Sequence, residues 1–350
     1  MGSSKDATRF NVSAAASWLL LIVLLTITLR TLSFLFIPLC FAILLCYALG
    51  IPLDFLKRFH LPGFVRIILV LGFVLLLIFM LGKLVMLNVT SFQSQLPVYE
   101  VKFWEYADII LSRFDISREQ ANEAVNSFLS KIRQDQFSFG SLLQSLSGSF
   151  FSFLGNVLWV VLFMAFILAE RDSFTKRLVN QLGQENAAPI LHSLQQINDS
   201  VQQYLGLKTL ISFLTGALVT IVLTIAGVDF ALLWGVLTFV LNFIPTIGSI
   251  VATLPPIAIT LFQSGSVAKT LIIGVLLLCI QFLVGNVLEP KLMGRGLNFS
   301  PLVVLFSLIF WGWLWGIPGM LLSVPLTAAI RIAMEQIDAT KTVAVLISSK

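Results

Sequence analysis

Two apolar stretches near the end of the chain, residues 230–262 and 301–333, constrain the fold most. Each is 33 residues long and is interrupted near its middle, the first around Pro245 and the second around Pro318. A continuous helix of that length would measure about 50 Å, against about 30 Å for the hydrocarbon core of a bilayer, and each half would reach only about 22 Å. Paired, interrupted segments in corresponding places of two half-domains are typical of a carrier's binding site near the bilayer midplane.

The composition places the chain in a membrane. Of its 350 residues, 58% are hydrophobic and 11% are charged, whereas soluble domains average about 25% charged residues. The net charge of +5 then reports orientation in the bilayer and does not indicate a nucleic-acid partner. We therefore predict an integral membrane protein surrounded by lipid.

The remaining apolar runs predict further spans. Together with the broken segments they predict an all-α polytopic membrane protein, with about six full transmembrane helices and two segments that dip into the bilayer as hairpins. Eight plain transmembrane helices are the alternative. Only Arg30 and Thr31 separate the first two runs, which favours a tight antiparallel hairpin. The six runs are residues 14–29, 32–53, 64–87, 150–169, 207–226 and 270–288.

Cationic loops orient these spans. Lys57, Arg58 and Arg66 place the second loop, and with it the N-terminus, in the cytoplasm. The polar region that follows is then extracytoplasmic and is predicted to be a small helical domain, with a capping box at 117–120. The predicted domains are the N-terminal helices (1–87), this extracytoplasmic domain (88–149), the fourth span with a cytoplasmic amphipathic helix (150–206), the transport core (207–333) and a cytoplasmic tail (334–350).

Within the core, the sequence reads span, broken segment, span, broken segment. If each broken segment returns to its own side, the loop 289–300 with Lys291 and Arg295 is cytoplasmic, as the positive-inside rule favours. This arrangement gives two repeats of opposite orientation, a symmetry common in carriers. If each segment crosses once instead, the two cations lie outside. Upstream, an amphipathic helix that opens at Pro189 is expected to continue into the span from Leu207.

The broken tips supply the candidate substrate and gate residues. The ends of half-helices present unpaired N–H and C=O groups to a polar solute or ion. The amide of Asn242 either binds such a solute or satisfies backbone groups freed by Pro245. The glycines permit tight turns or close helix approach, with backbone contact to a ligand as the alternative. The residues assigned to this role are Asn242, Pro245, Gly248, Asn286, Gly316, Pro318, Gly319 and Pro325.

Glu289, Lys291 and Arg295, with Asn286 beside them, form the densest polar group near any predicted span. A carboxylate beside a membrane span is a natural ion or proton relay, so these three charged residues are assigned to ion coupling. The alternative is a structural lock in which Glu289 pairs with one of the two neighbouring cations. Lys208 is expected to snorkel toward the interface or to answer an acidic group in the core.

Other motifs add little chemistry. Trp311, Trp313 and Trp315 alternate along the second broken segment and are interpreted as aromatic anchors at the membrane interface. The sequence has no HExxH, GxSxG or P-loop motif. We therefore predict no enzymatic activity, no cofactor and no metal site.

The core motifs carry a family resemblance. Residues 242–248 read N-F-I-P-T-I-G, residues 289–294 read E-P-K-L-M-G, and the run 300–326 is equally distinctive. Together they resemble the signature blocks of the AI-2E family of bacterial transporters. The resemblance implies an oligomeric carrier of the bacterial inner membrane. The family takes its name from export of autoinducer-2, and residues 311–313 and 319–327 are close to that branch, whereas other members look like sodium/proton antiporters.

Three functional hypotheses follow. The first is a secondary transporter that exports a small polar solute, autoinducer-2 above all, with coupling to Na⁺ or H⁺. The second is a monovalent cation/proton antiporter on the same scaffold. Its weakness is that the core contains only two carboxylates, Asp229 and Glu289. The third is a membrane assembly protein, against which the interrupted helices argue.

Overall fold

A computed structural model describes residues 12–49, 56, 59, 62–111, 123, 150–293, 299–335 and 340. Within these residues, five helices are long and apolar enough to cross a membrane, or six if a bent pair near the N-terminus is one span. The predicted all-α polytopic architecture is thus confirmed. In chain order the helices are α1 (Val12–Thr31), α2 (Ser33–Ala48), α3 (Gly63–Leu111), α4 (Phe150–Ile225), α5 (Ala231–Leu241), α6 (Ile247–Ser264), α7 (Val267–Phe282), a π-helical turn (Leu283–Leu288), α8 (Glu289–Met293) and α9 (Pro301–Glu335).

The first two helices meet at a right angle, so the predicted antiparallel hairpin is wrong. The bend between them is 87°, and Leu32 alone separates them. The N–H groups of Leu35 and Phe36 already bond to the Leu32 carbonyl, so the second helix begins at once. Reversal into a helical hairpin needs a loop of about two to five residues, which this junction lacks.

Helix α2 packs against α3 and α4, and the outer faces of the N-terminal helices stay apolar. Ala42 and Cys46 of α2 are buried in a cluster with Val70, Val74 and Met164. On the outside, leucine, isoleucine and phenylalanine side chains of α1 and α3 are exposed over most of the spans. An exposed apolar surface of this extent is stable only against lipid or another protein.

Helix α3 is longer than a membrane requires. Its 49 residues would measure about 74 Å at 1.5 Å per residue, and its apolar part ends at Asn88. The helix continues through the polar region that follows, where Phe92 and Tyr99 pack against Trp234. The rest of the predicted extracytoplasmic domain, including the capping box at 117–120, lies outside the described residues except position 123.

Helix α4 joins the cytoplasmic segment predicted before the core to the first core span. It is kinked at Gly183, whose φ of 74° and ψ of 162° are not helical. Beyond that kink the helix is unbroken to Ile225, as the sequence predicts for the junction at Leu207. Pro189 lies inside this helix and is not its first residue, because the segment after the kink already begins at Gly183, where φ is positive.

The first broken segment is a helical hairpin, here called the first hairpin, made of α5, the turn 242–246 and α6. At its open end the side chain of Gln263 accepts a hydrogen bond from the Asp229 N–H (3.0 Å) and donates one to the Gly227 carbonyl (2.9 Å). Its turn contains Thr246, with a positive φ of 62°. The two ends of the segment therefore lie side by side.

The second broken segment is also a helical hairpin, here called the second hairpin, made of the two arms of α9. The arms reverse at Gly316, which has a φ of 65° and a ψ of −141°. Ser307 donates to the Ser323 carbonyl at 2.9 Å and bonds to the Thr327 hydroxyl at 2.5 Å. In a straight helix, 20 residues would separate positions 307 and 327 by about 30 Å. The second segment is therefore not a plain spanning helix.

The two hairpins open toward opposite ends of α4. The first opens at Asp229, just past the C-terminal end of α4. The second opens beside Asp199 and Ser200, which share a cavity with Arg331 and Glu335. About 25 residues of α4, roughly 37 Å, separate these levels. Two inverted repeats would have this opposite orientation. The side of the membrane on which each hairpin opens stays a prediction.

The tip of the second hairpin rests on the bend between α1 and α2. Trp315 donates its indole N–H to the Leu29 carbonyl at 3.0 Å, and Arg30 lies over the Trp313 ring at 5.2 Å. Trp311 and Trp315 are buried, whereas Trp313 is 57% exposed. Since positions 311 and 315 share one helix face, two of the three tryptophans belong to the core of the hairpin and are not interface anchors.

Candidate substrate site

A buried ion pair joins α4 to the connection between the two hairpins. The Lys208 ammonium lies 2.5 Å from Oε1 of Glu289, and the side chains are 4% and 23% exposed. An ammonium this deeply buried is tolerated only with a partner, because the loss of hydration costs several kcal/mol. Among the described residues, Glu289 pairs with Lys208, the residue expected to snorkel or to answer an acidic group in the core, and not with its neighbour Lys291. The proposed pairing with Arg295 lies outside the described residues.

A π-helical turn sets the position of Glu289. Residues Leu283–Leu288 have this wider geometry, and Glu289 follows directly as the first residue of α8. Such turns are rare and are often found at functional sites, since the extra residue rotates the side chains that follow. Here the turn precedes the carboxylate that faces Lys208.

The ion pair lines a cavity of about 230 Å³ between the two hairpins. Pro245 reaches it from the tip of the first hairpin, and Val304 and Val324 reach it from the two arms of the second. One face of α4 supplies half of the wall. Apart from the ion pair, the described lining residues are uncharged: Ser200, Gln203, Tyr204, Leu207, Pro245, Phe299, Val304 and Val324.

A second cavity of about 340 Å³ adjoins the first. Ser200 and Phe299 line both cavities, and Arg331 lies 5.6 Å above the Phe299 ring. Arg331 is itself paired with Glu335 at 2.9 Å. The second cavity is therefore a neighbour of the first with charged residues in its lining, and we call it the charged vestibule.

The structure brings some of the sequence-predicted residues into this site and leaves others away from it. Pro245 and Glu289 line the cavity. Asn286 and Lys291 are exposed and do not line it, and Arg295 lies outside the described residues. Asn242 sits close by but points elsewhere, since its amide donates to the hydroxyl of buried Ser212 at 3.0 Å.

The glycines and prolines of the broken tips act on the backbone. Gly316 adopts the positive φ that a reversal needs. A Cβ on Gly248 would lie 1.7 Å from the Leu241 carbonyl oxygen, and one on Gly319 would lie 1.9 Å from that of Trp311. This geometry agrees with tight turns and close helix approach. Pro318 begins the second arm directly after the reversal, and Pro325 is buried within that arm.

Apart from Lys208, the α4 residues that line the site were not predicted from the sequence. These residues share one helix face, because they occupy positions i, i+3, i+4, i+7 and i+8: Ser200, Gln203, Tyr204, Leu207 and Lys208. That face carries polar groups up to the point where the helix becomes the apolar core span. The spacing was visible in the sequence, and it would have indicated a polar stripe toward the core.

A second polar cluster closes the open end of the first hairpin. The buried Tyr99 phenol donates to Oδ2 of Asp229 at 2.8 Å, and Lys102 donates to the Gln263 carbonyl at 3.4 Å. Burial, and after it the Asp229 carboxylate, raises the pKa of Tyr99, so the phenol stays a donor at neutral pH. The polar continuation of α3 is thereby fastened to the first hairpin.

Replacing Tyr99 by phenylalanine is expected to lower the free energy of unfolding by about 1.5–3 kcal/mol, the usual range for a hydrogen bond to a charged group. Thermal unfolding of the detergent-purified protein would measure this loss. Ser91→Ala, which removes an exposed hydrogen bond to the Leu87 carbonyl, is the matched control and should change little. Unfolding of Tyr99→Phe at the wild-type temperature would contradict the fastening role.

Comparisons with known proteins place the chain among transporters. The sequence profile of a family described as "AI-2E family transporter" matches residues 17–339. A putative transport protein of Borreliella burgdorferi is 32% identical over 89% of this chain and 83% of its own length. A putative transport protein of Haemophilus influenzae is 35% identical over 78% of both chains. The AI-2 transport protein TqsA of Escherichia coli is 43% identical over 59% of this chain and 60% of its own length.

The matched region contains both hairpins, Lys208 and Glu289, so the resemblance seen in the core motifs extends over most of the chain. The relatives named above are all described as transport proteins. With its spanning helices, the chain is a multi-pass membrane protein, and it belongs to the AI-2E family of transporters.

Proposed function

We propose that the protein is a secondary transporter that exports a small polar solute, with autoinducer-2 as the first cargo to test. The similarity to an E. coli protein named for AI-2 transport supports this cargo. A location in the bacterial inner membrane, with both termini cytoplasmic, and assembly into a homo-oligomer belong to the same proposal. The cationic loop around Lys57 and Arg58 supports the orientation.

The cavity between the two hairpins is the observation that carries this proposal. Its wall combines an apolar surface with a few polar groups that converge on one region, the usual character of a small-molecule site. Lys208 offers a donor and Glu289 an acceptor, and the Gln203 amide and the Ser200 hydroxyl offer both. A solute rich in hydroxyl and carbonyl groups would satisfy these groups together.

The hairpins suggest how access to the cavity alternates. Each contributes to the wall, and each opens toward a different end of α4, so small movements of one hairpin would expose the cavity at one end only. Repeats that move against each other around a fixed site are the general mechanism of such carriers. Phe299, which lines both the cavity and the charged vestibule, would serve as one gate.

Glu289 is the carboxylate that we assign to ion coupling. It lies at the cavity, and the other carboxylate of the core, Asp229, is held by Tyr99 at the opposite end of the first hairpin. The same observation supports the second candidate function, a monovalent cation/proton antiporter. In that case Glu289 would exchange ions with no organic cargo.

Transport by purified protein in liposomes separates the two functions. Vesicles are loaded with labelled autoinducer-2, an ion gradient is imposed, and efflux is compared with that of protein-free vesicles. We expect efflux at least tenfold above the protein-free rate. Arg177→Gln, which disrupts an exposed ion pair with Glu170 in α4, should transport like the wild type.

The companion assay measures the internal pH of vesicles given Na⁺ or K⁺ without an organic solute. Cation-driven pH changes combined with no efflux of autoinducer-2 would reject the exporter and favour the antiporter. Efflux without a cation-driven pH change would reject the antiporter.

A further inference from the structure

The position of Lys208 limits which ion can be coupled to transport at Glu289. We propose that Lys208 is a tethered counter-cation that occupies the place of a monovalent metal ion on Glu289, so that the site does not bind Na⁺. This inference rests on the transport function proposed above, because it concerns the carboxylate at which that transport would be coupled.

The charges around the cavity carry the first step. Among the described residues that line it, Glu289 is the only acidic one, Lys208 is the only basic one, and the others are uncharged. The described part of the cavity wall is therefore neutral. A bound Na⁺ would give it a net positive charge in a partly enclosed, low-dielectric space, where like charges repel strongly.

The burial of Lys208 carries the second step. A metal ion could restore neutrality only by displacing the ammonium from Glu289. The Lys208 residue is 3% exposed, and Glu289 is its one ion-pair partner among the described residues. Displacement would leave a buried charge uncompensated, which is strongly unfavourable. The lysine is thus fixed where a mobile cation would otherwise bind.

Oxygen atoms around the pair carry the third step. Ser200, Gln203 and Tyr204, whose side chains contain oxygen atoms, line the same cavity as Glu289. Carboxylate, amide carbonyl and hydroxyl oxygens are the ligands that hard cations prefer. Removal of the ammonium would leave an anionic carboxylate among such oxygens, and this is a suitable place for Na⁺.

Thermal unfolding of the detergent-purified protein tests the proposal without any cargo. Unfolding temperatures are compared in NaCl and in choline chloride at equal ionic strength. We expect no Na⁺-specific shift for the wild type. For Lys208→Gln we expect Na⁺ to raise the unfolding temperature by about 2 °C or more, because a ligand that binds only the folded state stabilises it. The shift should disappear in the double variant Lys208→Gln/Glu289→Gln.

Two results would overturn the proposal. One is a Na⁺-specific stabilisation of the wild type, a measurement that needs no variant to fold. The other is a folded Lys208→Gln protein that responds equally to both salts. Lys208→Arg keeps the positive charge and should behave like the wild type. Since the readout is cation binding by purified protein, failure of autoinducer-2 efflux in vesicles would reject the proposed cargo and leave this result standing.

Discussion

Replacing Glu289 by glutamine is expected to abolish transport and to lower the free energy of unfolding by about 3 kcal/mol. The loss of stability follows from Lys208, whose side chain is 4% exposed and would be left buried without its 2.5 Å partner. The loss of transport follows from the position of the carboxylate in the cavity. Efflux from vesicles and thermal unfolding in detergent measure the two effects separately.

The double variant Lys208→Met/Glu289→Gln distinguishes the two effects. Since it removes both charges, most of the lost stability should return, while transport should stay abolished. Arg177→Gln is the matched control, because its ion pair with Glu170 is also a direct contact, at 2.9 Å, but its side chains are 72% and 58% exposed. An exposed pair contributes under about 1 kcal/mol. Wild-type stability and transport in Glu289→Gln would show that the pair has neither role.

The broken segments show how far the sequence leads. Their length and their Pro and Gly positions predict interrupted membrane segments, and both are hairpins in the structure. The right-angled junction of α1 and α2 was mispredicted, because two apolar runs separated by two polar residues suggest reversal. The geometry depends instead on how short the junction is. Leu32 alone separates the two helices, its N–H donates to the Thr28 carbonyl, and its carbonyl accepts from the Phe36 N–H.

The site illustrates a different limit. Sequence position made Lys291 and Arg295 the obvious partners of Glu289, since they are two and six residues away. The actual partner, Lys208, is 81 residues away, and only the packing of α4 against the connection between the hairpins brings it near. Likewise, nothing local indicates that Gly216 and Gly235 cross so closely that a Cβ on Gly216 would lie 2.6 Å from the Gly235 carbonyl oxygen.

Alanine at Gly248 or Gly319 is expected to cost about 3 kcal/mol or more in the free energy of unfolding, at the upper end of the usual range for overpacking. The added Cβ would lie 1.7 Å from the Leu241 carbonyl oxygen in the first case and 1.9 Å from that of Trp311 in the second. Both obstacles are backbone atoms, so no rotation of a side chain relieves the clash. The two arms of the hairpin would have to move apart near the turn.

Displacement of these arms should also reach the cavity, because Pro245 lies three residues before Gly248 and Val324 lies five residues after Gly319. Transport in vesicles is therefore expected to fall together with the unfolding temperature in detergent. Gly72→Ala and Gly82→Ala in α3 are the matched controls, since no heavy atom lies within 4 Å of the added Cβ and alanine is the better helix former by up to about 1 kcal/mol. If alanine had the same small effect at all four positions, the two arms of each hairpin would not lie this close together. The second hairpin would then be looser than the hydrogen bond from Ser307 to the Ser323 carbonyl implies.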